Sequence, residues 1–581
     1  MKLSILHKSI RLLSIALPIG VVLFLASVTV YFFSHSYPSF IQAVLASIQR
    51  PDLETVIRTH YFSLEKFNRM RWCLVISVVF STAILFVLYR YKKEYDYLID
   101  RIIRSVNNYL NSIQRIVLSF SKTGRIALVL LLFILLCRSI YMATIFYIQY
   151  DEAWNYNLFL DKQLFYSIGA YNNYPLHNIV SWCLVHVLGS SVLVLRLTSI
   201  LSGLCCTFVV ALCVQHFVKN EKLALLAAAL FCCLPVSLFY MLYARGVLLE
   251  MAVALLVSSL ILHYSNLGFT LKRVLLVSVL NAFGTYSMLS HPYFIVGSFA
   301  ALLLYSLLYE QKNCLLVLAY GFFSLLFSVT LLIPMMLGTG LSPVIAVLTH
   351  HQAIQLNDII SYVERVSFFI TGFSHSFYFL FVLSSSLLVY FFRKNNLLCL
   401  LSLFNCSLLL LPVFIPLLTN VYPPERAISF LVLVPLNSAV LFFYYLDKIR
   451  VVRFMVYPLA LFSLWVFSYN TYTHPFLNWS RELDKQVMDV AMLLKQNHIT
   501  RVYNDSREFD YFLPGIEFYF KQHHKSIEFS SSSISSTRYA STIDATIQCV
   551  VLSKQSTAAY YKGDSLLYES GDIMIYKRTK K

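Results

Sequence analysis

Charge is what this sequence has least of. Asp, Glu, Lys and Arg make up 13% of its 581 residues, against 58% hydrophobic. A soluble globular domain carries roughly a quarter charged residues, so the shortage excludes an ordinary water-soluble enzyme. Acid is the scarcer sign: 28 Asp and Glu against 46 Lys and Arg, a net charge of +18. In a soluble chain that excess would suggest nucleic acid. Here no nucleic-acid partner is expected, because basic cytoplasmic loops and contact with anionic membrane lipids account for it. Cysteine motifs are also missing. None of the 12 cysteines forms a C-x-x-C pair, and Cys137, Cys205, Cys206, Cys232, Cys233 and Cys406 sit inside apolar runs. They read as small buried hydrophobes, not as metal ligands or a disulfide framework. Beyond residue 470 the one cysteine is Cys549, so that tail cannot close a disulfide on itself.

In place of charge the chain has apolar length. Mean hydropathy is +0.68, and runs of about 20 apolar residues recur from end to end, the mark of an all-α polytopic membrane protein. The first run, Leu12 to Phe33, follows Lys8 and Arg11 and exceeds a signal-peptide core, so a retained anchor is expected. A second span is expected near Trp72–Tyr89. The stretch from Arg90 to Arg125 carries eight basic residues that hold it inside. Within it Tyr95, Ile99, Ile102, Val106, Tyr109, Ile113, Ile116 and Phe120 recur at steps of four and three. That pattern predicts an amphipathic helix lying on the inner leaflet, with a coiled-coil seam as the alternative.

Further spans are expected at 126–147, 192–217, 223–241, 246–264, 274–290, 292–309, 314–335, 376–392, 397–417, 427–446 and 454–470. Loops carrying Lys219 and Lys222, Lys272 and Arg273, Lys312, Arg393 and Lys394, and Lys448, Arg450 and Arg453 then fall on one side. The positive-inside rule makes that side cytoplasmic. The short apolar helix at 176–188 is placed along the outer surface, because a crossing there would turn every later basic loop outward. The tail, 471–581, has no span. Helices at Asn478–His498 and Phe509–Lys521 and five short strand-like runs predict a small extracytoplasmic α/β domain. Three regions result: 1–125, an N-terminal extension; 126–470, a transmembrane core; and 471–581, the C-terminal domain.

The chemistry centres on Tyr150-Asp151-Glu152-Ala153-Trp154, just past the end of the first core span. Adjacent carboxylates at the mouth of a membrane helix are costly to place near lipid and suggest function, the alternative being a simple water-boundary marker. Asp161, His177, Arg196, Arg245, His291, His350, His351, Asp358, Glu364, Glu425 and Arg426 fall on the same outer face. Arginine's planar fork suits phosphate, and a carboxylate suits proton acceptance from a hydroxyl. Arg196 or Arg245 at a helix end can instead serve headgroups, and His291 before Pro292 can be a capping or packing residue. Adjacent histidines at 350 and 351 point in different directions on a helix, a weak basis for a metal site.

Several stretches in order resemble the membrane glycosyltransferase superfamily called GT-C. The likeness is to bacterial relatives of protein O-mannosyltransferases (glycosyltransferase family 39) and of the aminoarabinose transferase of lipid A. They are Tyr150-Asp151-Glu152-Ala153; Asn173-Tyr174-Pro175-Leu176-His177; Leu195 to Gly203 around Arg196; Tyr240 to Leu248 around Arg245; Ser290-His291-Pro292-Tyr293-Phe294; and Glu425-Arg426-Ala427. The resemblance covers about 126–470 and leaves 1–125 outside. It implies an inverting enzyme that moves a sugar from a polyprenyl-phosphate carrier to an acceptor hydroxyl, on a glycan, lipid or protein, at the outer face of the plasma (inner) membrane. Asp151 would be the base with Glu152 beside it. Arg245 and Arg426 would hold the carrier phosphate, and Asn173, His177, Arg196 and His291 would complete the substrate-binding set. Many relatives have two prolines where this chain has Tyr174-Pro175. Some have a second acid near the arginine at Tyr243-Ala244-Arg245-Gly246, where the nearest acid here is Glu250. No metal or other cofactor is therefore expected as a requirement. A flippase for a lipid-linked sugar and a non-catalytic assembly subunit are the competing classes. A transporter would favour internal repeats and charges at mid-membrane depth, and the sequence has neither.

Overall fold

The computed structural model describes residues 25–48, 62–91, 111–339, 356–372, 396–448, 475–531, 548–553, 565–570 and 573–577, less a few single positions within them, and isolated residues elsewhere. The chain divides into two compact units: Met1–Ser119 with Leu337–Thr339, and the remainder. In the first, helices Tyr37–Ile48 and Leu64–Arg90 pack around Phe32, Phe40, Ile41, Leu45 and Phe67. Arg71 donates to the carbonyls of Phe32 (2.8 Å) and His35 (2.7 Å), satisfying acceptors that a helix end leaves open. The expected second span lies within Leu64–Arg90. Most of the expected basic amphipathic helix, 92–110, falls outside the described residues.

The second unit opens with α1 (Lys122–Ile145), then three short helices: α2 (Tyr150–Asn155), which runs into a π-turn at Tyr156–Leu160, α3 (Leu164–Gly169) and α4 (Pro175–Leu188). Then come α5 (Val192–Val218), α6 (Glu221–Cys233), α7 (Pro235–Met241), α8 (Val247–Leu267), α9 (Leu271–Ser287), α10 (Pro292–Tyr309), α11 (Cys314–Thr339), α12 (Leu356–Thr371), α13 (Asn396–Thr419) and, after a 3-10 segment at Glu425–Val432, α14 (Leu433–Lys448). Among the described residues seven helical stretches are long and apolar enough to cross a membrane: α1, α5, α8, α10, α11, α13 and the 3-10 segment with α14.

Three expectations need restating. The span at 223–241 is not one helix; α6 and α7 meet at a 65° bend. Pro235 is the cause, because it has no N–H to continue α6 and its fixed φ suits the first position of a new helix. The span at 274–290 is α9, whose 17 residues stand at the short limit for crossing. Residues 376–392 and most of 454–470 lie outside the described residues. Helix α4 has 14 residues, too few to span, and packs against α5 and α9.

The C-terminal domain holds α15 (Pro475–Gln496), β1 (Arg501–Asn504), α16 (Leu513–Gln522), β2 (Glu528–Ser531), β3 (Cys549–Ser553), β4 (Ser565–Ser570) and β5 (Ile573–Lys577). The five strands form one mixed sheet in the order β2-β1-β3-β5-β4. β1 is parallel to β2 and β3, whereas β5 is antiparallel to β3 and β4. Val487, Val490, Ala491 and Leu494 of α15 and Leu513, Ile516 and Phe520 of α16 cover it together with Val502, Cys549, Val551 and Ile575. α16 also joins the domain to the loops after α1. Phe518 meets Tyr156 edge to face with ring centres 4.9 Å apart, Asn157 donates to the Pro514 carbonyl (3.0 Å), Gln522 donates to the Ser190 carbonyl (2.9 Å), and Lys521 pairs with Asp161 at 2.7 Å.

Candidate active site

The two adjacent carboxylates are treated in opposite ways. Glu152 is the third residue of α2, and its side chain reaches back to the Gln149 N–H (2.9 Å) in a capping box. Arg196 on α5 clasps it from the other side, Nε to Oε1 at 3.0 Å and Nη2 to Oε2 at 2.7 Å. The Ala244 N–H closes the shell at 2.5 Å. Both side chains are buried, at 0% and 1% exposure for Arg196 and Glu152. Arg196 also donates to the carbonyls of Ala143, Phe146 and Tyr147 at 3.1, 2.9 and 2.7 Å. All five guanidinium N–H groups are then used. The sequence suggests a substrate contact from Arg196 and a catalytic part for Glu152; in the structure both are engaged within the protein. Neither has a free polar atom to offer, and together they lock the end of α1, the start of α2 and the turn before Arg245.

Asp151 faces the other way. Its side chain is 41% exposed and is ion-paired with Arg245, while Arg426 Nη1 stands 3.5 Å from the same Oδ2. The Arg245 side chain is 10% exposed, and its Nε has no hydrogen-bond partner. Arg426 is 42% exposed. It sits on the 3-10 segment that follows Pro423-Pro424. Glu425 beside it takes Arg365 of α12 at 2.9 Å. Three chain regions far apart in sequence thus place two arginines on one accessible carboxylate.

The other expected residues separate. Asn173 is exposed, and its carbonyl accepts from the Leu289 N–H (3.3 Å). His177 is fully buried; its Nε2 lies 3.4 Å from Ser199 Oγ, and burial pushes its pKa down to about 4, so it carries no charge for a phosphate at neutral pH. His291 is also fully buried and meets Glu250 and Asn281. His177 and His291, both suggested by the sequence as substrate contacts, are thus enclosed by protein in the ligand-free chain. His350 and His351 lie outside the described residues. Among those described, no three His, Cys, Asp or Glu side chains converge as a metal site.

One acid near the site went unnoticed in the sequence. Asp484 of α15 is 5% exposed, with Oδ2 unpartnered. Burial, and then the charge of Glu152, push its pKa up to about 8, against the pull of Arg196 and Arg245. The signal was present. Asp484 precedes Val487 by three positions and Ala491 by seven, so it stands on the apolar stripe of its own helix.

No family model and no curated protein matches the sequence. The structure is similar to the crystal structure of ArnT from Cupriavidus metallidurans bound to undecaprenyl phosphate. The TM-score is 0.54 at 12% identity, over 78% of this chain and 98% of that one. The apo state of the same protein gives the same TM-score and identity over 79% and 99%. At that identity the likeness establishes the fold alone: an ArnT-like helical membrane core with a small C-terminal sheet domain.

Proposed function

We propose that this chain is an inverting glycosyltransferase that moves a sugar from a polyprenyl-phosphate carrier to an acceptor hydroxyl. The observation that supports this most is the accessible Asp151 carboxylate between Arg245 and Arg426, on a fold shared with a protein crystallised with undecaprenyl phosphate. In the ligand-free chain the carboxylate offsets one of the two arginine charges. On binding, the carrier phosphate takes up Arg245 and Arg426, and Asp151 turns to the acceptor. The acceptor oxygen attacks the anomeric carbon opposite the phosphate, its proton passes to Asp151, and the carbon–oxygen bond to phosphate breaks with its electron pair on the phosphate oxygen. The two arginines stabilise that growing charge, and attack from the opposite face inverts the carbon.

The positive-inside pattern puts this end of the bundle and the C-terminal domain on the extracytoplasmic side of the plasma membrane, facing the acceptor. To test the reading, purified protein in lipid is given a radiolabelled polyprenyl-phosphate sugar and extracted acceptors. Formation of labelled product with release of free carrier phosphate is expected. Movement of intact donor between leaflets without release of carrier would favour a flippase instead.

A further inference from the structure

The turn that carries Arg245 is gripped from two sides. On one side Ser199 Oγ donates to the Arg245 carbonyl (3.1 Å), and the Ala244 N–H is held by Glu152. On the other, the first turn of α8 is pressed into the corner between α9 and α10. A Cβ on Gly246 would lie 2.4 Å from the Ser287 carbonyl oxygen and 2.9 Å from the Tyr174 ring, so glycine alone permits this approach. One turn along, Glu250 Oε1 meets His291 Nδ1 at 3.1 Å, and both residues are fully buried.

Hydrogen bonds tie that pair to its neighbours. Asn281 Nδ2 donates to Tyr320 OH (2.9 Å) and Ser324 Oγ (3.1 Å), which leaves its Oδ1 as an acceptor. His291 Nε2 lies 3.3 Å from that oxygen. The ring packs directly on Gly284, where a Cβ would lie 2.3 Å from Nε2 and displace it. Through Asn281 the pair is anchored to α9 and α11.

We propose that Glu250 and His291 are positioning residues for Arg245, fixing the first turn of α8 against the α9–α10 corner so that the guanidinium meets the carrier phosphate. This rests on the reading of Arg245 as the phosphate ligand. A positioning role differs from a merely structural one, because its effect must pass through Arg245.

The test is undecaprenyl-phosphate binding to the purified full chain, with melting temperature measured in parallel, for Glu250→Leu, Glu250→Gln and Gly284→Ala, each alone and combined with Arg245→Ala. Glu250→Leu and Gly284→Ala should weaken binding about tenfold, the scale of one charge-assisted hydrogen bond. Glu250→Gln, which can still bond Nδ1, should stay within about twofold of wild type. In the Arg245→Ala background the same changes should cost nothing further. Equal losses in both backgrounds, or normal binding by Glu250→Leu and Gly284→Ala, would overturn the proposal. If Glu250→Leu does not fold, Gly284→Ala carries the test, since it displaces the ring and leaves both polar groups in place. Normal binding by Arg245→Ala alone would instead remove the phosphate role of Arg245, and the inference with it.

Discussion

Neighbouring carboxylates should fail in opposite ways when neutralised. Glu152 accepts four hydrogen bonds, two from Arg196 and two from backbone N–H groups, with both partners of the ion pair buried. Glu152→Gln leaves the Arg196 charge uncompensated at zero exposure. Removing one partner of a buried pair costs about 3–5 kcal/mol. Asp151 is 41% exposed beside Arg245 at 10%, so its loss costs less than that of a fully buried partner, about 1 kcal/mol, the upper end for exposed pairs. A domain of 150–250 residues loses about 2–4 °C of Tm per kcal/mol, and a larger unit loses less. Melting in detergent should therefore show Glu152→Gln lower by about 5–10 °C and Asp151→Asn within about 2 °C of wild type. Replacing the whole pair, Glu152→Leu with Arg196→Met, should recover part of the loss, because no buried charge remains. If Glu152→Gln melts with wild type, the brace is not what holds this end of the bundle, and the reasoning from burial fails.

The other predictions concern a proton, the phosphate and the orientation. The Asp484 pKa is raised by burial to about 8, so between about pH 4 and pH 8 the folded chain keeps a proton that the unfolded chain has lost, and stability falls as pH rises through that window. Asp484→Asn should thus raise Tm more at pH 8 than at pH 5; an equal change at both would refute the shift. Arg245→Ala and Arg426→Ala should each weaken undecaprenyl-phosphate binding, Arg245→Ala by more because its side chain is the more buried; calorimetry that finds neither affected would remove both from the site. Cys549 is buried in β3, so orientation needs introduced cysteines. In a cysteine-free background an impermeant reagent added to intact cells should label Lys525→Cys and not Lys222→Cys, and the reverse would invert the assigned topology.

Seven of the expected spans were legible because lipid imposes one rule on every crossing helix, about 20 apolar residues with little charge. The break at Pro235 was visible as a residue but was overridden by the apolar run around it. The strands of the C-terminal domain were legible as short β-branched and aromatic runs. Their order was not, since β1 pairs with two strands that follow it by more than 20 residues. Within the site, residue type and order singled out Asp151, Arg245 and Arg426. By its residues alone the sequence did not separate Asp151 from Glu152, and only the family resemblance put the base at Asp151, because the difference is which way each faces from α2, and that depends on Arg196 lying 44 residues away. Nor could it tell that His177 and His291 support the site from below.

The central claim is that Asp151 takes the acceptor's proton. It is tested most directly by turnover of a polyprenyl-phosphate sugar by purified wild type and Asp151→Asn, with undecaprenyl-phosphate affinity measured on the same samples. Loss of a general base should cut turnover by roughly a hundredfold to ten-thousandfold, while carrier affinity is retained or rises as the arginines are freed. Near-normal turnover by Asp151→Asn would contradict the claim.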